Sequence, residues 1–387
     1  MHAYAFKDPV FFALNDQEQK ATGGALGQFC VSCHSPIGMI TRETEGMTDP
    51  TLLPEIVQHG VSCEVCHTMR PKPGTQSYER SDSTGGRFTF DPGDRKYGPM
   101  DSVVENTFHR SVQDHSFDLS AVCLPCHNIE LRGVRLEGTF DEWNESPYSV
   151  MGRECQDCHM PEYSGQAATG GPQRASLHHH DFTGVDVAVT DFPGRAAQEA
   201  RVAALLKDSA TLLVDLPGLI SRPDTLAVRV YNGQTGHSLP SGTTFERQMW
   251  LEVTVTNDAG DTLFVSGNLD ANGDLRERHS EIDSGDAQLK LWTATIRDAS
   301  GDEHVSVFRA TSIEDSTLRA FATGGRDYSI PIPKGAKGNL RVVVRLLFRA
   351  FAPYILRERG VGQFIPEVPI FEMERFEGVV ALTESRS

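Results

Sequence analysis

The chain has 387 residues, of which 23% are charged, and a formal net charge of −17. That length sets two domains as the natural expectation, and the acidic excess argues against nucleic acid or an anionic membrane surface as a partner. No transmembrane segment is expected, because the most apolar run, VVVRLLFRAFAPYIL, is interrupted by Arg345 and Arg349 and is too short to span a bilayer.

The chain opens MHAYAFKD, without a charged n-region, an apolar h-region or a cleavage site, and is read as the mature or trimmed form of an exported precursor. Its eight cysteines then all fall in one pattern, Cys-x-x-Cys-His. The copies are Cys30, Cys33 and His34; Cys63, Cys66 and His67; Cys123, Cys126 and His127; and Cys155, Cys158 and His159. This is the attachment signature of a c-type haem, in which two thiols become thioethers and the adjacent histidine ligates the iron from the proximal side. Zinc and a redox dithiol also use C-x-x-C. Zinc, however, would join two dithiols in one site and has no use for a histidine fixed after each, and redox dithiols do not come in fours. Four haem c groups are therefore expected, and with them an exported protein.

From first cysteine to first cysteine the motifs lie 33, 60 and 32 residues apart, a pair, a gap and a pair. Residues 1–190 are read as a tetrahaem domain of low secondary structure, with short helices carrying the motifs and loops elsewhere, because four apolar rings supply much of the core. Residues 191–209 form a linker, with GRAAQEARVAALLKD giving an amphipathic helix from Arg195 to Lys207. Residues 210–387 alternate like half-buried strands in TLAVRVYN, QMWLEVTVTN, DTLFVSG, LKLWTATIRD, HVSVFRA, YSIPIP and NLRVVVRLLFRA. With hairpin turns at NDAG and DASG, this half reads as an all-β, sandwich-like domain that caps a haem. The acidic run DANGDLRERHSEIDSGD is weighed as a calcium loop, but its glycine is misplaced for a helix–loop–helix site and calcium is the weaker reading.

Ten histidines lie outside the motifs. A second imidazole on each iron would make it six-coordinate and low in potential, leaving electron transfer as its chemistry, so bis-histidine ligation is favoured over methionine. His237 stands in a rigid glycine- and proline-bounded loop, and His109 follows an aromatic residue fourteen positions before the third motif. In SLHHHDFTG neighbouring residues point in different directions, so at most one or two of the three are ligands; His180, followed by DFTG, is the first choice and His178 the second. His2 is near the terminus, where fraying competes. His59 and His115 are weaker candidates, and His279 and His304 fall in acidic loops.

In MHAYA, GVSCEVCH, FHRS before CLPCHN, CQDCHMP, HHDFTG and GHSLPSG the chain resembles multihaem cytochromes related to the tetrahaem cytochrome that takes electrons from hydroxylamine oxidoreductase, and more closely their relatives with a β-rich C-terminal domain. The similarity spans nearly the whole chain. It implies that His2, His109, His180 and His237 are distal ligands. Some members of the wider group polymerise into extracellular filaments in which a histidine of one subunit completes a haem of the next. By that resemblance His2, on a terminal arm, could cap a neighbour's haem in a head-to-tail homopolymer.

The expected function is therefore electron transfer rather than catalysis, as a filament subunit in extracellular electron transfer or as a discrete periplasmic shuttle. Its partners would be redox proteins or extracellular acceptors. A multihaem reductase is the alternative, and it would need one open iron.

Overall fold

The computed structural model describes every residue except 48, 72–77, 83–84, 102, 105, 217–218, 221–223, 305, 334–335 and 383–387. The chain divides into two compact units, Met1–Val202 with Thr295–Glu314, and Ala203–Ala294 with Asp315–Ser387.

The first unit is made of short elements. A 3-10 turn at His2–Tyr4 precedes the helix Pro9–Ala21, whose start is fixed by Pro9 and by the Asp8 carboxylate accepting from the Val10 amide at 2.9 Å. Three motifs lie on helices, Val31–His34, Cys63–Thr68 and Cys155–His159, while the third is carried by turns after the 3-10 segment Ser120–Val122. The expected loops are in part a five-stranded sheet, in the order Met69–Pro71, Gly85–Phe90, Glu79–Asp82, Ile129–Leu131, Val134–Glu137. Strands of three to six residues are too short for their alternation to stand out in sequence. The apolar clusters are correspondingly small: Phe6, Phe11, Val31 and Val57 in one, Met69, Tyr78 and Phe88 in another.

The segment Thr295–Glu314 returns from the second half of the sequence to the first unit. Buried Glu18 draws it in, accepting from the Ser306 hydroxyl at 2.9 Å and from the amides of Val307 and Phe308 at 2.8 and 3.3 Å. Arg132 adds a cation–π contact, 4.1 Å over the Phe308 ring. This is why HVSVFRA is not the strand its alternation suggests: its amides serve a carboxylate instead of a ladder, and residues 307–309 form a turn. Val305, within it, lies outside the described residues.

The amphipathic stretch forms the helix Arg195–Lys207. The second unit is strand-rich. One sheet runs Thr211–Asp215, Asp224–Tyr231, Thr323–Ile330, and a larger one runs Leu219–Ile220, Phe371–Leu382, Gly338–Arg349, Gln248–Asn257, Thr262–Ser266, with Lys290–Trp292 also paired to Gln248–Asn257. Trp250, Leu251, Val253, Val255, Val344 and Leu346 are fully buried there, each large side chain contributing about 1.5–3 kcal/mol. The arginines that interrupt the apolar run have partners on the neighbouring strand. Arg345 Nε donates to Glu252 at 2.9 Å, and buried Arg349 Nε donates to Gln248 at 2.6 Å. The same run then leaves the sheet and forms a short helix, Pro353–Glu358, in a region expected to be all β. Among the described residues no helix is long and apolar enough to cross a membrane.

Candidate metal centres

Each motif presents its side chains through one turn of chain. In the first, the amides of Cys33 and His34 both donate to the Cys30 carbonyl, at 3.3 and 3.2 Å; in the third, Cys126 and His127 do the same to Cys123, at 3.2 and 3.0 Å. Residues three and four apart share a helix face, so both thiols and the imidazole meet one side of the turn. None of the eight cysteines is in a disulfide.

The motifs converge around the third. Cys33 Sγ lies 3.8 Å from the Pro125 carbonyl, and Cys33 and Cys126 are hydrogen-bonded, as are Cys123 and Cys155. The Cys123 and Cys126 thiols are pushed well up, first by donating to those partners, then by burial and by nearby charges that include Cys66 of the second motif. Cys155, as acceptor of such a bond, is pulled down to about 7. The fourth motif is tied in further by Glu154, which accepts from the Ser120 amide at 2.7 Å, and by Gln156, which donates to the Phe117 carbonyl at 2.9 Å.

Opposite two of the motif histidines stands another imidazole. His2 and His127 have ring centres 6.2 Å apart with planes inclined at 42°, and His67 and His180 are 6.2 Å apart at 33°. Two imidazoles in trans on one metal, each bonded at about 2 Å with roughly 1.1 Å more from nitrogen to ring centre, need about 6.2 Å. Both pairs fit that requirement. His180 donates from Nδ1 to the His178 carbonyl at 2.9 Å, which leaves Nε2 with its lone pair for a metal. His2 is pushed down to about 3 by burial, then by His127, which keeps it in the neutral form that ligates.

His2 is not a frayed end. Its carbonyl accepts from the Val61 amide at 3.1 Å, its ring lies 4.5 Å from that of Phe182, and Tyr4 Oη is 2.7 Å from the Thr190 hydroxyl. Gly60 makes the close approach feasible: its φ is +61°, and a Cβ there would sit 2.6 Å from the His2 oxygen.

The other candidates sort by what they face. His178 Nδ1 contacts the Met160 carbonyl at 2.5 Å and Nε2 lies 3.8 Å from Glu162; His179 stacks on Tyr163 with centres 4.3 Å apart. His59, His115, His279 and His304 each meet a carboxylate, of Glu55, Asp118, Glu277 and Asp298. His109 keeps a buried Nδ1 with no hydrogen-bond partner among the described residues. His237, in the second unit, is half-buried with Nδ1 on the Ser238 carbonyl at 2.9 Å. In the acidic run, Asp270 accepts from Ser280 at 2.5 Å, Asp286 from the Gly267 amide at 2.6 Å, and Asp283 pairs with Arg276 at 2.7 Å, so those carboxylates already serve the chain's own donors.

The structure is similar to that of a penta-haem cytochrome c552 from Thermochromatium tepidum, with a TM-score of 0.61 and 19% sequence identity over 91% of this chain and 83% of that one. The fold is that of a multihaem cytochrome c. No protein-family model matches the sequence, and no curated protein does.

Sequence reasoning passed over one residue of the site, Glu137. Its carboxylate lies 3.2 Å from His127 Nδ1, where the other motif histidines meet main-chain carbonyls. Burial disfavours charge on the His127 ring, yet Glu137 outweighs it and holds the ring's pKa at about 9. The available signal was an acidic residue one short hairpin beyond a Cys-x-x-Cys-His.

Proposed function

We propose that the chain is an electron-transfer protein carrying four covalently attached haem c groups, with His2 the distal ligand opposite His127 and His180 the distal ligand opposite His67. The observation that carries this reading is the pair of 6.2 Å imidazole spacings, each joining a motif histidine to one distant in sequence. Bound at these motifs, haem supplies reversible one-electron chemistry. At these two sites an imidazole on each side leaves no face for a substrate, which favours a carrier over a multihaem reductase. The family resemblance names His109 and His237 as further distal ligands, without assigning either to a motif.

His2 faces a histidine of its own chain, so the imidazole expected to cap a neighbouring subunit is already engaged. This supports a discrete carrier over a filament, in an exported compartment, periplasmic or extracellular, exchanging electrons with redox proteins or extracellular acceptors. The ferrous protein treated with carbon monoxide tests it. An unchanged spectrum is expected, and a stoichiometric adduct would restore the reductase. Electron micrographs of the native protein should show discrete particles.

A further inference from the structure

The four motif histidines are not held alike. Nδ1 of His34, His67 and His159 lies against a main-chain carbonyl, that of Ala5 at 3.0 Å, Tyr97 at 2.6 Å and Thr183 at 2.6 Å. His127 Nδ1 instead meets a carboxylate, Glu137 at 3.2 Å. Glu137 is only 9% exposed and accepts one further bond, from the Thr139 hydroxyl at 3.3 Å. Among the described residues no arginine or lysine pairs with it, so its charge is spent on His127.

A two-residue hairpin brings the carboxylate there. Strands Ile129–Leu131 and Val134–Glu137 are joined by Arg132 and Gly133, whose φ values of +52° and +84° give a turn with the twist a tight hairpin needs. Ile129 is in register with Glu137, so the end of the second strand returns beside the start of the first, next to His127. The Phe140 amide, donating to the His127 carbonyl at 3.1 Å, closes the loop. The third motif is also the one the first and fourth motifs approach: Cys33 Sγ lies 3.8 Å from the Pro125 carbonyl, and the Cys155 amide donates at 2.8 Å to Ser120, just before Cys123.

We infer that Glu137 is a positioning residue that acts through His127 to make the haem of the third motif the lowest in reduction potential of the four. This rests on the haem assignment proposed above. A carboxylate accepting from Nδ1 makes the imidazole a stronger donor to iron, and its charge is weakly screened where it is buried. Both effects favour Fe(III), which carries one more positive charge than Fe(II), and so lower the one-electron couple. A carbonyl dipole does this less. The low-potential site is then the junction of the cluster rather than an end of it.

The test is a spectroelectrochemical titration of the holoprotein as wild type, as Glu137→Gln and as His2→Met. Glutamine keeps an acceptor for Nδ1 and removes the charge. With four haems present by mass and low-spin spectra retained, the lowest of the four components should rise in Glu137→Gln while the other three stay. His2→Met replaces the ligand opposite His127 by one that raises potential, and should remove the same component from the wild-type set. If Glu137→Gln leaves the lowest component in place, or if His2→Met removes one of the upper three, the inference is overturned. The second result decides even if Glu137→Gln does not fold. A mass short of four haems overturns the haem assignment itself.

Discussion

His67 and His180, 113 positions apart in sequence, face each other with ring centres 6.2 Å apart. Only one histidine of the run His178–His180 can do this. His178 is turned back onto the Met160 carbonyl, and His179 lies on Tyr163. His180→Ala should therefore convert one low-spin haem to high-spin in the oxidised protein, and His178→Ala should leave all ligation unchanged. Absorption and electron paramagnetic resonance spectra of the two variants check this, and the reverse pattern would exchange their roles.

His2 is tested through a residue that is no ligand. Gly60→Ala forces a Cβ to within 2.6 Å of the His2 carbonyl oxygen and strains a backbone at φ +61°. The variant should show the same single high-spin haem as His2→Ala, with four haems still attached. A fully low-spin Gly60→Ala protein would mean that the terminal turn is not what holds the ligand.

Glu18→Ala tests the returning segment. It leaves the buried Val307 amide without its acceptor, which costs about 1–3 kcal/mol, and removes the longer bond from the half-buried Phe308 amide. Denaturant unfolding should report a loss in that range. An unchanged midpoint would show that water satisfies these amides at no cost.

The motifs were legible because their chemistry is spelled in five contiguous residues. Divergence of adjacent side chains limited the run to one or two ligands and the DFTG that follows favoured His180, but its partner could not be read, because the His67–His180 approach depends on the path of the whole intervening chain. Glu137 escaped notice for a related reason: its meaning comes from a turn at Arg132 and Gly133 that requires a non-glycine residue at positive φ. In the second unit the alternation of QMWLEVTVTN and NLRVVVRLLFRA corresponds to paired strands, since period two is a local property. HVSVFRA alternates equally well and is not a strand, because Glu18, nearly three hundred residues earlier, takes its amides.

The central claim, that every Cys-x-x-Cys-His holds a haem by thioether bonds, is tested most directly by the intact mass of the purified protein under denaturing conditions. The account predicts the polypeptide mass plus four haems, retained through acidic organic extraction. A mass equal to the bare polypeptide, with zinc or free thiols in its place, would contradict it.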